Sequence, residues 1–307
     1  MGPTASGKTA VALALHDAFP LEIVSVDSSQ VYRGMDIGTA KPSAEQRAHA
    51  PHRLVDIRDP RENYSAADFC AEALREMRAI TAAGKVPLLV GGTMFYFHAL
   101  EYGLSALPSA DPEIRERLAA EAKAIGWPSL HARLAHIDAT SAARIDPNDA
   151  QRIQRALEIH TLTGRAPSDM ARAESRAPTE YRFYKLALWP ADRAVLHERI
   201  ATRFEQMLQH GLIEEVEGLY RRRDLHPGLP SMRTVGYRQV WSYLTGDVNY
   251  NEMVERSIAA TRQLAKRQLT WLRRYPGVHR VECSGELPLA QAVQLVSQHD
   301  RHGSQDL

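Results

Sequence analysis

The sequence predicts an α/β protein: a P-loop NTPase-like parallel-sheet core interrupted by a helical insertion. Residues 2–9, Gly2-Pro3-Thr4-Ala5-Ser6-Gly7-Lys8-Thr9, fit G-x-x-x-x-G-K-[ST], a loop that cradles phosphate and opens a helix. Strand and helix signals alternate over the first hundred residues, as a parallel sheet requires. From about 105 to 178 the strand signals give way to charged, Ala-rich amphipathic segments, and they return at Arg182. The expected boundaries are therefore 1–104 plus 181–307 for the core and 105–180 for the insertion.

A helix is expected from Gly7 to about Ala18, then strands at Glu22–Asp27 and Arg53–Ile57. Ser65 opens a helix that Gly84 stops near Ala83, with Asp68 at the N3 position of a capping-box-like start. Val86–Val90 reads as a strand ending in Gly91-Gly92-Thr93, with a helix through Leu100. Ligands of such a sheet sit at the C-terminal ends of its strands, which puts residues 2–9, Asp27 and the Gly-Gly-Thr turn on one rim. In the insertion, breaks fall at Gly126-Trp127-Pro128 and Asp146-Pro147. A strand at Arg182–Trp189, helices to about Arg223 and a last long helix at Asn251–Arg274 complete the core, stopped by Pro276-Gly277. A P-loop ordinarily follows a buried apolar strand, and here only Met1 precedes Gly2. Either that strand lies upstream of a start assigned at an internal Met, or the chain has lost it.

Composition narrows the function classes. The 307 residues are 44% hydrophobic and 24% charged, which describes a globular protein with a substantial core. No apolar run reaches the length of a membrane span and no signal-peptide pattern occurs, so a cytoplasmic, membrane-free protein is expected. Two cysteines, Cys70 and Cys283, lie far apart in no metal-ligand spacing. Cys70 falls on a helical stripe with Ala66, Ala73, Met77 and Ile80 and reads as core. The net charge of +1 decides nothing about nucleic acid; its distribution does.

In the phosphate loop, Lys8 supplies a mobile cation and the Thr9 hydroxyl is placed to ligate Mg²⁺. Asp27-Ser28-Ser29-Gln30 follows a strand directly. A carboxylate there can ligate metal, act as a general base, or cap a turn. In Gln151-Arg152-Ile153-Gln154-Arg155, helical spacing puts Gln151, Arg152 and Arg155 on one face; phosphate contacts and a solvated face explain them equally well. On the last long helix, Val254, Ile258, Ala265, Leu269 and Leu272 form an inward stripe. Seven cations and no carboxylate occur from Arg256 to Arg280, with Trp271 among them, an asymmetry that favours a polyanion. A loop at Arg233-Thr234-Val235-Gly236-Tyr237-Arg238 adds two arginines and an aromatic ring for stacking.

Taken together, GPTASGKT (2–9), DSSQVYRGMDIGTAKP (27–42), GGT (91–93), QRIQR (151–155), RTVGYRQ (233–239) and KRQLTWLR (266–273) resemble the tRNA dimethylallyltransferases (tRNA isopentenyltransferases). The resemblance runs from Gly2 to about Arg274. It implies Mg²⁺, dimethylallyl diphosphate as donor, and the exocyclic amine of the adenosine 3′ of a tRNA anticodon as acceptor. It further implies that Gly2–Thr9 hold a diphosphate, that Lys8, Arg203 and Thr93 assist its departure, and that Asp27 accepts the proton. Ser28, Ser29, Gln30 and Thr93 would contact the flipped base. Arg115, Gln151–Arg155, Arg233–Arg238 and Lys266, Arg267, Gln268, Leu269, Thr270, Trp271, Leu272 and Arg273 would hold the anticodon stem-loop. A monomer is expected. Three other readings share parts of the pattern: a small-molecule P-loop kinase, an adenylate isopentenyltransferase, and a non-catalytic RNA-binding P-loop protein. The first two leave the basic helix without a substrate, and the third has no use for Asp27.

Overall fold

A computed structural model describes residues 1–105, 107–173, 179–283 and 287–303. Parts of the expected insertion (106 and 174–178) and of the expected core (284–286 and 304–307) lie outside the described residues. The chain divides into two compact units, residues 1–99 with 182–307, and residues 100–181.

The first unit opens with the phosphate loop, followed by α1 (Lys8–Ala18), β1 (Leu21–Val26), α2 (Ala44–His49), β2 (His52–Arg53), α3 (Ala66–Ala82), β3 (Val86–Gly91) and α4 (Met94–Tyr102), which leads into the second unit. β1 is buried along its whole length and lies between β2 and β3, parallel to both. Its register runs from Leu21 opposite Val86 to Val26 opposite Gly91. The carboxyl ends of β1 and β3 therefore coincide, and the Thr93 N–H donates to the Val26 carbonyl at 3.3 Å. Ser65 and Asp68 form the expected capping box of α3, which buries Phe69, Cys70, Ala73, Met77 and Ile80.

The second unit holds α5 (Pro112–Ile125), α6 (Trp127–Ile137), α7 (Ala139–Ala142), α8 (Ala150–Thr163) and α9 (Pro167–Ala173). Asp111, Asp138 and Asp149 cap α5, α7 and α8, each accepting a backbone N–H inside the first turn. Leu118, Leu130, Leu134, Ile153 and Leu157 form its core.

The chain returns to the first unit with β4 (Lys185–Pro190), α10 (Arg193–Gln209), α11 (Leu212–Tyr220), α12 (Tyr237–Leu244), α13 (Tyr250–Arg274), β5 (Val278–Cys283) and α14 (Leu289–Gly303). β4 and β5 pair in parallel from Lys185 opposite Val278 to Pro190 opposite Cys283, as a two-stranded sheet of their own. Val11, Leu15, Leu188, Val281 and Ala292 pack α1 and α14 against it.

The α/β class and the parallel pairing agree with the sequence; several boundaries do not. The strand expected at Arg53–Ile57 shrinks to His52–Arg53, because Leu54 and Asp56 take left-handed φ values of 63° and 59°, which no strand accommodates. The Arg233–Arg238 loop gives way to helix at Tyr237, the first residue of α12. Asn251–Arg274 is not the last helix, since β5 and α14 follow Pro276-Gly277. The inward face of α13 carries Met253 and Ser257 ahead of Ala265, Leu269 and Leu272, with Val254 and Ile258 only half-buried.

Candidate active site

The rim where β1 and β3 end carries a cavity of about 520 Å³. Its lining includes Thr4–Thr9 of the phosphate loop, Asp27, Ser29, Gln30, Gly38–Ala40 and Gly92. α10 contributes Ile200, Arg203, Phe204 and Met207; the turn before α12 contributes Thr234–Gly236; α13 contributes Thr261, Leu264 and Gln268. Cations and backbone N–H groups thus share the space with an apolar wall.

The loop closes on itself. Ala5 (φ 60°) and Gly7 (φ 87°) are both left-handed, and the Ser6 hydroxyl and Lys8 Nζ both donate to the Pro3 carbonyl, at 2.9 and 2.6 Å. Burial lowers the Lys8 ammonium to a pKa of about 8; Arg203 pushes the same way and Asp27 opposes. Burial also lowers Arg203, again against the pull of Asp27. Arg203 makes no hydrogen bond or ion pair among the described residues. Two desolvated cations facing one carboxylate form a site short of negative charge, which an oligophosphate would supply.

The Thr9 hydroxyl also lacks a hydrogen-bond partner among the described residues. No group of three His, Cys, Asp or Glu side chains able to hold a metal occurs there either. That donor set fits Mg²⁺ held by a single protein hydroxyl together with ligand phosphates and water, and does not fit an all-protein cage.

Asp27 caps its own turn. Oδ1 accepts from Ser29 N at 2.9 Å, Ser29 Oγ at 2.5 Å and Gln30 N at 3.3 Å. No hydrogen bond reaches Oδ2 among the described residues. The turn-capping and proton-accepting readings are compatible: one oxygen orients the carboxylate and the other stays open. Thr93 Oγ1 accepts from Ser28 N at 3.1 Å, and neither Thr93 nor Ser28 lines the cavity.

Several residues expected to meet RNA are turned inward. Ile153, Tyr237, Leu269 and Leu272 are core side chains. The Gln268 amide is buried and bridges two backbone groups: Oε1 accepts from Thr4 N at 2.8 Å and Nε2 donates to Gly92 O at 2.9 Å. Arg115 and Arg155 both serve Glu158, whose side chain is fully buried. Arg115 binds it through Nε and Nη2 at 2.8 and 3.1 Å, and Arg155 through Nη1 at 2.6 Å, while Arg155 Nη2 donates to Pro108 O at 2.6 Å. Gln154 Nε2 donates to Arg115 O at 2.9 Å. Gln151, Arg152, Arg233, Arg238, Lys266, Arg267, Thr270, Trp271 and Arg273 are exposed. Among the described residues, Arg152 pairs with Asp149 alone, at 3.4 Å.

Sequence reasoning missed the apolar wall from α10, the buried Glu158 and the bridging role of Gln268. Only Gln268 left a trace, as a polar residue between two cations and the inward stripe of its helix.

A loop of the G-x-x-x-x-G-K-T pattern with a half-buried lysine, set at the carboxyl ends of parallel strands and faced by an arginine that has no partner among the described residues, places the chain in the α/β class with a P-loop-like fold. The chain belongs to the IPP transferase family, whose model matches residues 30–275. It is 60% identical over 299 residues to a tRNA dimethylallyltransferase of Thioalkalivibrio sulfidiphilus, covering 97% of this chain and 93% of that one. It is 56% identical over 298 residues to a tRNA dimethylallyltransferase of Bordetella pertussis, covering 96% and 95%. Among solved structures, the full-length tRNA isopentenylpyrophosphate transferase of Bacillus halodurans superposes with a TM-score of 0.71 at 36% identity, covering 99% of this chain and 96% of that one. A eukaryotic dimethylallyltransferase acting on tRNA superposes with a TM-score of 0.77 at 27% identity, covering 99% and 77%.

Proposed function

We propose that the protein is a tRNA dimethylallyltransferase, moving a dimethylallyl group from its diphosphate to the exocyclic amine of the adenosine 3′ of a tRNA anticodon. The observation that carries this reading is one cavity combining a cationic phosphate loop, an apolar wall of Ile200, Phe204, Met207 and Leu264, and a carboxylate with one free oxygen. The family and the names of its members support the choice of donor and acceptor.

The amine nitrogen bonds to C1 of the donor as the C1–O bond breaks, and that bond's electron pair leaves with the diphosphate. Lys8, Arg203 and the loop N–H groups stabilise the charge that builds there. The adenine amine is a poor nucleophile because its lone pair is delocalised into the ring. Asp27 Oδ2 takes its proton as the new bond forms. Mg²⁺, when bound, supplies further charge neutralisation on the diphosphate, and Thr9 is the residue to hold it.

RNA phosphates are met by the exposed cations Arg152, Arg233, Arg238, Lys266, Arg267 and Arg273, with Trp271 available for stacking. No helix among the described residues is long and apolar enough to cross a membrane. The two cysteines are buried and no disulfide joins them.

Calorimetric titration in Mg²⁺ separates this reading from a kinase. Dimethylallyl diphosphate binds and ATP competes weakly at best; tight ATP binding with hydrolysis would replace the proposal.

A further inference from the structure

The cavity wall at Gly38–Ala40 lies in turns, outside any helix or strand. Turn bonds within it, Ala40 N–H to Ile37 O at 2.9 Å and Lys41 N–H to Asp36 O at 3.0 Å, are joined by side chains from outside, and one carboxylate gathers three of its N–H groups. Glu215 on α11 accepts three successive backbone N–H groups: Asp36 at 2.9 Å and Ile37 at 2.8 Å through Oε2, and Gly38 at 3.2 Å through Oε1. Oε1 also accepts from the Tyr237 hydroxyl. Tyr237 is fully buried at the start of α12, directly after the Thr234–Gly236 turn that forms another wall of the same cavity. One side chain therefore ties two walls together.

The fit leaves no slack. A Cβ at Gly38 would lie 2.5 Å from Tyr237 Cε2 and 2.9 Å from a Leu212 methyl carbon, so only glycine lets the loop approach the ring. Beyond Gly38, the carbonyls of Thr39 and Ala40 each receive Gln30 Nε2 at 3.3 Å, and Gln30 belongs to the turn that Asp27 caps. The connections run from Glu215, through the 36–40 loop and Gln30, to the Asp27 turn. They run equally from Glu215, through Tyr237, to Thr234–Gly236.

We propose that Glu215 is a positioning residue for the transfer reaction, fixing the 36–40 loop and, through the Tyr237 hydroxyl, the 234–236 turn, both of which line the cavity. The assignment rests on the RNA-prenylation reading for its consequence in catalysis, but its structural half stands without it. Three N–H groups converging on one acceptor form an anion-binding nest, here filled by the protein's own carboxylate. An amide in its place keeps one acceptor oxygen and turns an N–H₂ toward backbone donors.

Two readouts on the full chain test this. Amide hydrogen exchange in Glu215→Gln should speed up at residues 36–40, while residues 2–9 keep wild-type protection. In steady-state assays with an anticodon stem-loop, kcat/KM for RNA should fall by about 10²-fold, the scale of a misplaced reaction geometry, with KM for the diphosphate donor within about threefold of wild type. Tyr237→Phe keeps the buried ring and removes only the hydroxyl link; it should speed exchange at 234–238 and lower kcat/KM by less than Glu215→Gln does. Wild-type exchange and wild-type kcat/KM in Glu215→Gln would overturn the proposal, as would the same result in Tyr237→Phe if Glu215→Gln did not fold. An equal rise in exchange across the whole unit would also overturn it, by making Glu215 a general stability residue. Failure of the wild-type protein to prenylate RNA is a different outcome: it removes the functional reading and leaves the exchange result to judge the clamp.

Discussion

The Gln268 side chain receives the Thr4 backbone N–H at 2.8 Å, so a residue near the end of α13 holds the phosphate loop at the other end of the sequence. Its amide nitrogen reaches Gly92 O at 2.9 Å, and the two bonds lock the loop to the turn after β3. α13 carries the exposed cations on its opposite face, so a single helix supports both the donor site and the candidate RNA surface.

Gln268→Met keeps the volume and removes both bonds, leaving Thr4 N–H and Gly92 C=O without this partner. Each buried group left unsatisfied costs about 1–3 kcal/mol. The variant should melt at lower temperature and bind pyrophosphate more weakly, with RNA affinity little changed. Weakened RNA binding with intact pyrophosphate affinity would return Gln268 to the RNA surface.

Arg152 and Arg155 lie on the same helix and should behave differently. Arg152→Ala should lower RNA affinity and reduce the slope of log K against log salt by about 1. Arg155→Ala should act on stability, removing a charge-assisted bond to buried Glu158 that is worth about 1.5–3 kcal/mol. Urea unfolding and RNA titrations at several salt concentrations distinguish them; equal salt-slope changes would contradict the assignment of Arg155 to Glu158.

The second unit should be acid-sensitive. Burial alone would raise the Asp138 carboxyl, but bonds from Ser141 and Ser168 outweigh it and lower the pKa to about 2 from 3.8. The same balance lowers Glu158, where bonds from Arg115 and Arg155 overcome burial. Both groups are depressed in the folded state. Their stabilisation is therefore complete above the unfolded carboxylate range and is lost as pH falls through the folded values. For Asp138 that window runs from about 4 down to 2 and involves about 2 kcal/mol. Asp138→Asn should flatten the stability profile there; an unchanged profile would refute the assignment.

Asp27→Ala should cut kcat by about 10²–10⁴-fold, the scale of general-base catalysis. Donor affinity should change little, because Lys8, Thr9 and the loop N–H groups remain. A carboxylate needed only for metal binding behaves otherwise: its loss weakens Mg²⁺-dependent donor binding, and excess Mg²⁺ restores activity. Rescue across a Mg²⁺ titration would sink the base assignment.

Features written in local spacing were legible in the sequence. The phosphate loop, the capped helix after Ser65 and the breaks at Gly126 and Asp146 all depend on neighbouring residues. What depends on distant partners was not legible. β2 was overestimated because the chain at Leu54–Asp56 departs from the strand, with Asp56 bound by Lys41 and Arg47 at 2.5 and 2.6 Å. β5 escaped notice because its parallel partner, β4, lies about ninety residues earlier. In the insertion, the resemblance gave Arg115 and helical spacing gave Arg155 as cations, without revealing that Glu158 lies beneath them. Tyr237 read as a stacking ring because nothing adjacent in sequence names Glu215 as its partner.

The most direct test of the whole account is a product analysis. The protein is incubated with Mg²⁺, dimethylallyl diphosphate and an anticodon stem-loop, and the RNA is digested to nucleosides and weighed by mass spectrometry. The account predicts one five-carbon unit on the exocyclic nitrogen of the adenosine 3′ of the anticodon, one pyrophosphate released per unit, and almost none of either with Asp27→Ala. Unmodified RNA, or RNA or a small molecule phosphorylated when ATP is supplied instead, would contradict it.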